Sequence, residues 1–70
     1  METNEKQISR NIKSRRQKVG LTQEQIAKIL GITMATYKNI ENNPLKYSIN
    51  KLTTIADALG CTIDDFLMHE

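Results

Sequence analysis

The chain has three glycines, and each stands in the same local setting: Val19-Gly20-Leu21-Thr22, Leu30-Gly31-Ile32-Thr33 and Leu59-Gly60-Cys61-Thr62. No other feature restricts the fold as much. A glycine at the end of a helix takes the left-handed backbone conformation without the steric cost that a Cβ brings. The threonine two positions later carries a hydroxyl that can accept from the first free amides of a following helix. Each string therefore stops one helix and starts another within about three residues. The apolar residue between glycine and threonine has an apolar partner one turn into the next helix: Leu21 with Ile26, Ile32 with Tyr37, Cys61 with Phe66. That is the spacing of a hydrophobic staple. Gln25 follows Thr22 at capping-box distance, and Asp65 stands in the same relation to Thr62. Asn4 with Gln7, and Ser48 with a Tyr47 to Leu52 staple, mark two further helix starts.

These marks predict helices over residues 5–19, 23–30, 34–42, 49–59 and 63–68, an all-α chain of five helices. Apolar residues recur at helical spacing, with Ile8, Ile12 and Val19 on the first, Ile26, Ala27 and Leu30 on the second, and Leu52, Ile55, Ala56 and Leu59 on the fourth. No alternating strand pattern competes. The segment Asn42-Asn43-Pro44-Leu45-Lys46-Tyr47 reads as a surface loop, with Asn43 expected in the left-handed conformation and Pro44 blocking continuation. Residues 1–3 are expected to be a frayed end.

At 70 residues the chain is expected to form one domain over 1–70, with a core over about 5–68. The single cysteine, Cys61, cannot close an intrachain disulfide, and in a staple position it reads as a small core residue before a redox sensor. The one histidine, His69, leaves a catalytic triad or a three-histidine zinc site short of parts. No apolar run is long enough to span a bilayer, and no signal-peptide pattern opens the chain. The expectation is a cytoplasmic protein, not an enzyme, with no metal, no cofactor, no small-molecule ligand and no membrane contact. Asp64, Asp65 and Glu70 read as a solvated acidic end, the two aspartates suiting a helix N-terminus.

The second and third helices are short and joined by a three-residue turn holding Gly31, the spacing of a helix-turn-helix over residues 23–42. Ala27 supplies a small side chain where the two helices meet, while Ile26, Leu30, Ile32, Tyr37 and Ile40 supply buried contacts. Tyr37 reads as core before a base-stacking ring. An αα-corner with no ligand would use the same buried residues. The functional case rests on the outer face of the third helix, where Met34, Ala35, Thr36, Lys38 and Asn39 carry no acid.

The stretch LTQEQIAKILGITMATYKNIENN, followed by SINKLTTIADALGCTIDDFL, resembles the helix-turn-helix family of phage Cro and CI repressors and xenobiotic-response-element-type regulators. The resemblance covers about residues 8–67. It implies a lambda-repressor-like fold, with the third helix in the DNA major groove and the second across the backbone, as a homodimer on a two-fold operator. Met34, Ala35 and Asn39 then match base-reading positions, with Thr36 and Lys38 at their edges. Asn39 can offer donor and acceptor together to an adenine, whereas Met34 and Ala35 suit thymine methyls, so an A·T-rich operator is expected. Backbone contacts are expected from the Thr22 or Gln23 amide, the Gln23 side chain, Thr33, Asn43 and Lys46. Gln23 matches a position that in the family also braces a base-reading side chain. The resemblance further implies an ion pair between Arg16 and Glu41. Two departures fall in the loop: Asn42-Asn43 replaces the family's usual x-Gly, and Pro44 stands where a basic residue is frequent.

Charge agrees with a polyanionic partner. Residues 1–35 hold seven Lys/Arg against three Asp/Glu, a balance of +4, and residues 36–70 hold three against five, a balance of −2. The cluster Lys13, Arg15, Arg16 and Lys18 lies on the first helix, which faces away from the groove in the family and is expected to supply long-range field. The expected function is a sequence-specific DNA-binding regulator, a repressor of bacterial or phage origin acting at the nucleoid. The alternative from another class is a protein-interaction module of the same fold, antitoxin-like or an anti-repressor partner. On the last helix, Phe66 is expected to complete the core, while Leu67 or Met68 could dock a second subunit.

Overall fold

Asn4, Thr22, Thr33 and Ser48 each accept, on a side-chain oxygen, the amide hydrogen of the residue three positions on, at 2.9 to 3.2 Å. Four of the helix starts are thereby satisfied locally. The structure, a computed structural model, describes residues 4–68. It contains α1 (Glu5–Lys18), α2 (Gln23–Leu30), α3 (Met34–Asn42), α4 (Ile49–Ala58) and α5 (Ile63–Leu67), with one 3-10 turn at Pro44–Lys46. No strand occurs among the described residues. The frayed end expected at residues 1–3, and His69 and Glu70, lie outside them.

The three glycine strings terminate their helices in one way. Gly20, Gly31 and Gly60 have φ of 78°, 72° and 73°. Each glycine N–H donates to the carbonyl three residues back, and the apolar residue after it donates to the carbonyl five back: Leu21 to Arg16, Ile32 to Ala27, Cys61 to Ala56. This is the Schellman arrangement, which satisfies carbonyls that the helix end would leave orphaned. The same apolar residue then turns inward, and Leu21, Ile32 and Cys61 all pack against the core.

That core is shared by all five helices. Ile8 and Ile12 of α1, Ile26 and Ala27 of α2, Tyr37 and Ile40 of α3, Leu52, Ile55 and Ala56 of α4, and Phe66 of α5 are buried together. α2 packs on α3 and α4, and α1 packs on α3 and α5. The helix-turn-helix pair thus sits on one side of the core, braced from behind by α1 and α4.

Several expectations need correction. Val19 is 45% exposed, because α1 ends at Lys18 and the residue falls outside the helical stripe. α4 and α5 each stop one residue early, at Ala58 and Leu67. Asn43 is not left-handed: its φ is −133°, and no non-glycine residue has positive φ among the described residues. Its amide instead donates to Asn39 O at 2.8 Å, and its carbonyl accepts from Lys46. The segment read as a loop closes into the 3-10 turn, with Pro44 buried at its first position, where a missing N–H costs nothing. The Asn4 cap is also one-sided, since the Gln7 side chain donates to Asn11 Oδ1.

Candidate nucleic-acid interface

The outer face of α3 is built by elimination. Tyr37, Ile40 and Glu41 turn into the core, so Met34, Ala35, Lys38 and Asn39 are exposed on the opposite side, with Thr36 half-buried between. Met34 is 43% exposed, one of seven large apolar side chains left at the surface among the described residues. Thr33 starts this helix, accepting the Thr36 amide and donating its hydroxyl proton to Thr36 Oγ1 at 3.0 Å. Among the described residues, the Thr36 hydroxyl proton and the Asn39 side-chain amide meet no hydrogen-bond partner.

At the start of α2, Thr22 and Gln25 form a closed capping box, with Thr22 N–H donating to Gln25 Oε1 at 2.8 Å. The Thr22 amide is therefore already engaged, which corrects its expected role as a phosphate donor and leaves only its hydroxyl proton for that task. Asn43, half-buried, and Lys46, exposed, lie in the turn after α3.

Beneath this surface lies one buried carboxylate. Glu41 is 0% exposed and Arg16 8%. Arg16 Nε donates to Glu41 Oε2 at 2.9 Å, Arg16 NH2 lies 3.4 Å from Oε1, and Arg16 NH1 donates to Leu21 O at 2.8 Å. Tyr37 O–H donates to Oε2 at 2.8 Å, and Gln23 Nε2 donates to Oε1 at 3.0 Å. Ser9 Oγ donates to the Glu41 backbone carbonyl. Glu41 so ties α1, α2 and α3 together. The Glu41 hydrogen bond raises the Arg16 pKa against the opposing effect of burial. Burial first, and then the Glu41 hydrogen bond, push the Tyr37 hydroxyl well above the usual phenol range.

Sequence reasoning anticipated Gln23 bracing a base-reading side chain, whereas its hydrogen bond goes to Glu41. The Tyr37 to Glu41 bond also went unread, although four-residue spacing on a helix is a usable signal. No sequence signal exists for Gln23 and Glu41, which lie on different helices. Arg15, assigned to long-range field, pairs with Asp65 at 3.6 Å, so neither is a fully free surface charge. The Thr62 amide holds the Asp65 carboxyl below its ordinary range, and burial raises the Cys61 thiol. Among the described residues, no group of three His, Cys, Asp or Glu is placed to hold a metal ion, and no helix is long and apolar enough to cross a membrane.

Two short helices crossing at a left-handed glycine, the second presenting an acid-free outer face, define a helix-turn-helix unit. A family profile described as helix-turn-helix matches residues 12–66. The chain belongs to this family, of the Cro/CI and xenobiotic-response-element type, a family of DNA-binding regulators. No curated protein is similar enough to count as a match. Among solved structures, the chain is similar to hydroxypropylphosphonic acid epoxidase from S. wedmorenis, at 26% identity and a TM-score of 0.84, over 97% of this chain and 36% of that one. It is similar to Fe(II)-HppE with the alternative substrate (S)-1-HPP, at 26% identity and a TM-score of 0.85, over 97% of this chain and 35% of that one. Apo-HppE matches at 25% identity and a TM-score of 0.82, over 97% and 37%. The chain spans about a third of the length of these structures.

Proposed function

We propose that the protein is a repressor that binds a two-fold DNA operator as a homodimer, with α3 in the major groove. The observation that carries this reading is the outer face of α3: exposed Met34, Ala35, Lys38 and Asn39, with the one acid of that helix, Glu41, withdrawn into an ion pair. A groove-reading helix must bring donors, acceptors and methyl contacts to base edges without bringing negative charge to the phosphates. Asn39 is the adenine reader in this reading, Met34 and Ala35 meet thymine methyls, and Thr36 and Lys38 flank them. Phosphates are held by the Gln23 side chain and amide, the Thr22 hydroxyl, Thr33, Asn43 and Lys46. Occupying the operator is itself the mechanism, in the cytoplasm at the nucleoid.

The test is a selection from a pool of random duplexes at about physiological salt. An enriched inverted repeat with half-site centres about 10 bp apart, or a multiple of that, is the expected outcome. Absence of enrichment overturns the reading. Affinity should also fall with salt, with a slope of about −0.9 per phosphate neutralised.

The likeness to the epoxidase favours a second reading, because there a unit of this shape makes up about a third of a longer chain. In that reading the helices pack against protein, as a module for a partner or a neighbouring segment. A salt slope near zero together with a stoichiometric protein complex would select it.

A further inference from the structure

Gln23 opens α2 at the half-buried rim between the core and the face assigned to DNA, and its side chain is held from below. Gln23 Nε2 lies 3.0 Å from Glu41 Oε1. A carboxylate paired with an arginine has only lone pairs to offer, so it selects the amide nitrogen and rejects the amide oxygen. The amide is thus fixed with Nε2 inward, and its Oε1 and second N–H are left for the outside. Glu41 cannot turn to follow a rotating glutamine. Its Oε2 takes Arg16 Nε at 2.9 Å and Tyr37 O–H at 2.8 Å, its Oε1 takes Arg16 NH2 at 3.4 Å, and its backbone carbonyl takes Ser9 Oγ. Met34, at the start of α3, carries a thioether, which is too weak an acceptor to compete for the amide.

We propose that Glu41 is a positioning residue for DNA binding, holding Gln23 in the one orientation that aims its second N–H at a backbone phosphate before DNA arrives. The inference rests on the DNA-binding reading above. Its physical content is preorganisation: a glutamine already immobilised in the free protein does not lose that freedom on binding, which favours the complex by about fivefold. It also gives the ion pair a task at the surface besides joining helices.

The test is a cycle of Gln23→Ala, Glu41→Gln and the double variant, each checked for folding, with dissociation constants for a mixed-sequence DNA duplex at low salt. Gln23→Ala is expected to weaken binding about fivefold, Glu41→Gln by a similar factor, and the double variant no further than Gln23→Ala alone. A Glu41→Gln effect that persists with alanine at 23 overturns the proposal, since Glu41 would then act by another route. So does a Gln23→Ala protein that binds as tightly as the parent. If the parent protein does not bind the duplex at all, the DNA reading itself fails and takes the inference with it. Where Glu41→Gln does not fold, the side-chain amide dynamics of Gln23 in the unmodified, ¹⁵N-labelled protein decide. Rigidity comparable to the α2 backbone without DNA supports the proposal, and a freely rotating amide overturns it.

Discussion

Asn11 on α1 donates its side-chain amide to the carbonyl of Phe66, at 2.8 Å, and so docks the end of the chain on its beginning. The same nitrogen reaches Met68 O at 2.7 Å. α5 has five residues, too few to be stable by its own hydrogen bonds, and the carbonyls at a helix end look for donors outside the helix. Asn11 supplies that donor, while the fully buried Phe66 ring supplies the apolar contact.

Replacing Asn11 by alanine therefore leaves the half-buried Phe66 carbonyl short of a donor, while water can reach the exposed Met68 carbonyl. The expected loss is about 1–2 kcal/mol, read as a lower urea midpoint with the DNA-facing helices unchanged. An unchanged midpoint would mean that Phe66 burial alone holds α5.

Glu41→Ala removes the acceptor for Arg16, Tyr37 and Gln23 together. Because Arg16 is nearly buried, the variant strands a cation, and a loss of order 3 kcal/mol is expected. Equilibrium urea unfolding measures it. A change within experimental error would remove the pair from the structural account.

Alkaline pH should unfold the protein partly through Tyr37. Its hydroxyl has an ordinary pKa of 10.0 in the unfolded chain and a higher one when folded, so the unfolded chain releases its proton first. The contribution is complete below pH 10 and is lost as pH rises from there toward the folded value, at up to about 1.4 kcal/mol per pH unit. Tyr37→Phe should cost about 1 kcal/mol at neutral pH and flatten this alkaline limb. A limb of equal steepness in that variant would assign the effect elsewhere.

Gly31 sets the turn between α2 and α3 with φ of 72°, and a Cβ built there meets nothing within 4 Å. The cost of Gly31→Ala is thus backbone strain without a clash, about 1–2 kcal/mol. Gly31→Asn should cost less, since asparagine tolerates this conformation. Thermal unfolding of the two variants gives the comparison.

Two substitutions separate reading from positioning on DNA. Asn39→Ala should relax selection at one base pair, worth about 1–3 kcal/mol of discrimination, with the salt slope unchanged. Lys46→Gln should weaken all sequences alike and reduce the slope by about 0.9. Selected-site sequencing and salt titration distinguish these patterns, and a base-specific effect at Lys46 would reverse the assignment.

Much of the fold was legible because its signals are local. Thr22 caps Gln25, Thr33 caps Thr36 and Ser48 caps Lys51 within single turns, and each glycine closes its helix with hydrogen bonds to residues three to five positions away. The outer face of α3 could likewise be drawn from helical period. Asn43 was misread for the opposite reason: a preference for the left-handed region is weak, and burial of Pro44 against the core selects a 3-10 turn instead.

The amino-acid sequence by itself determined where helices begin, where they end to within a residue, and, Val19 excepted, which stripe turns inward, because caps, glycine φ and apolar period act over a few residues. Only the tertiary structure decided what meets Glu41, what Gln23 holds, and how Asn11 secures α5. Those partners come from separate helices, and the strength of each contact depends on burial, which exists only once the helices have packed.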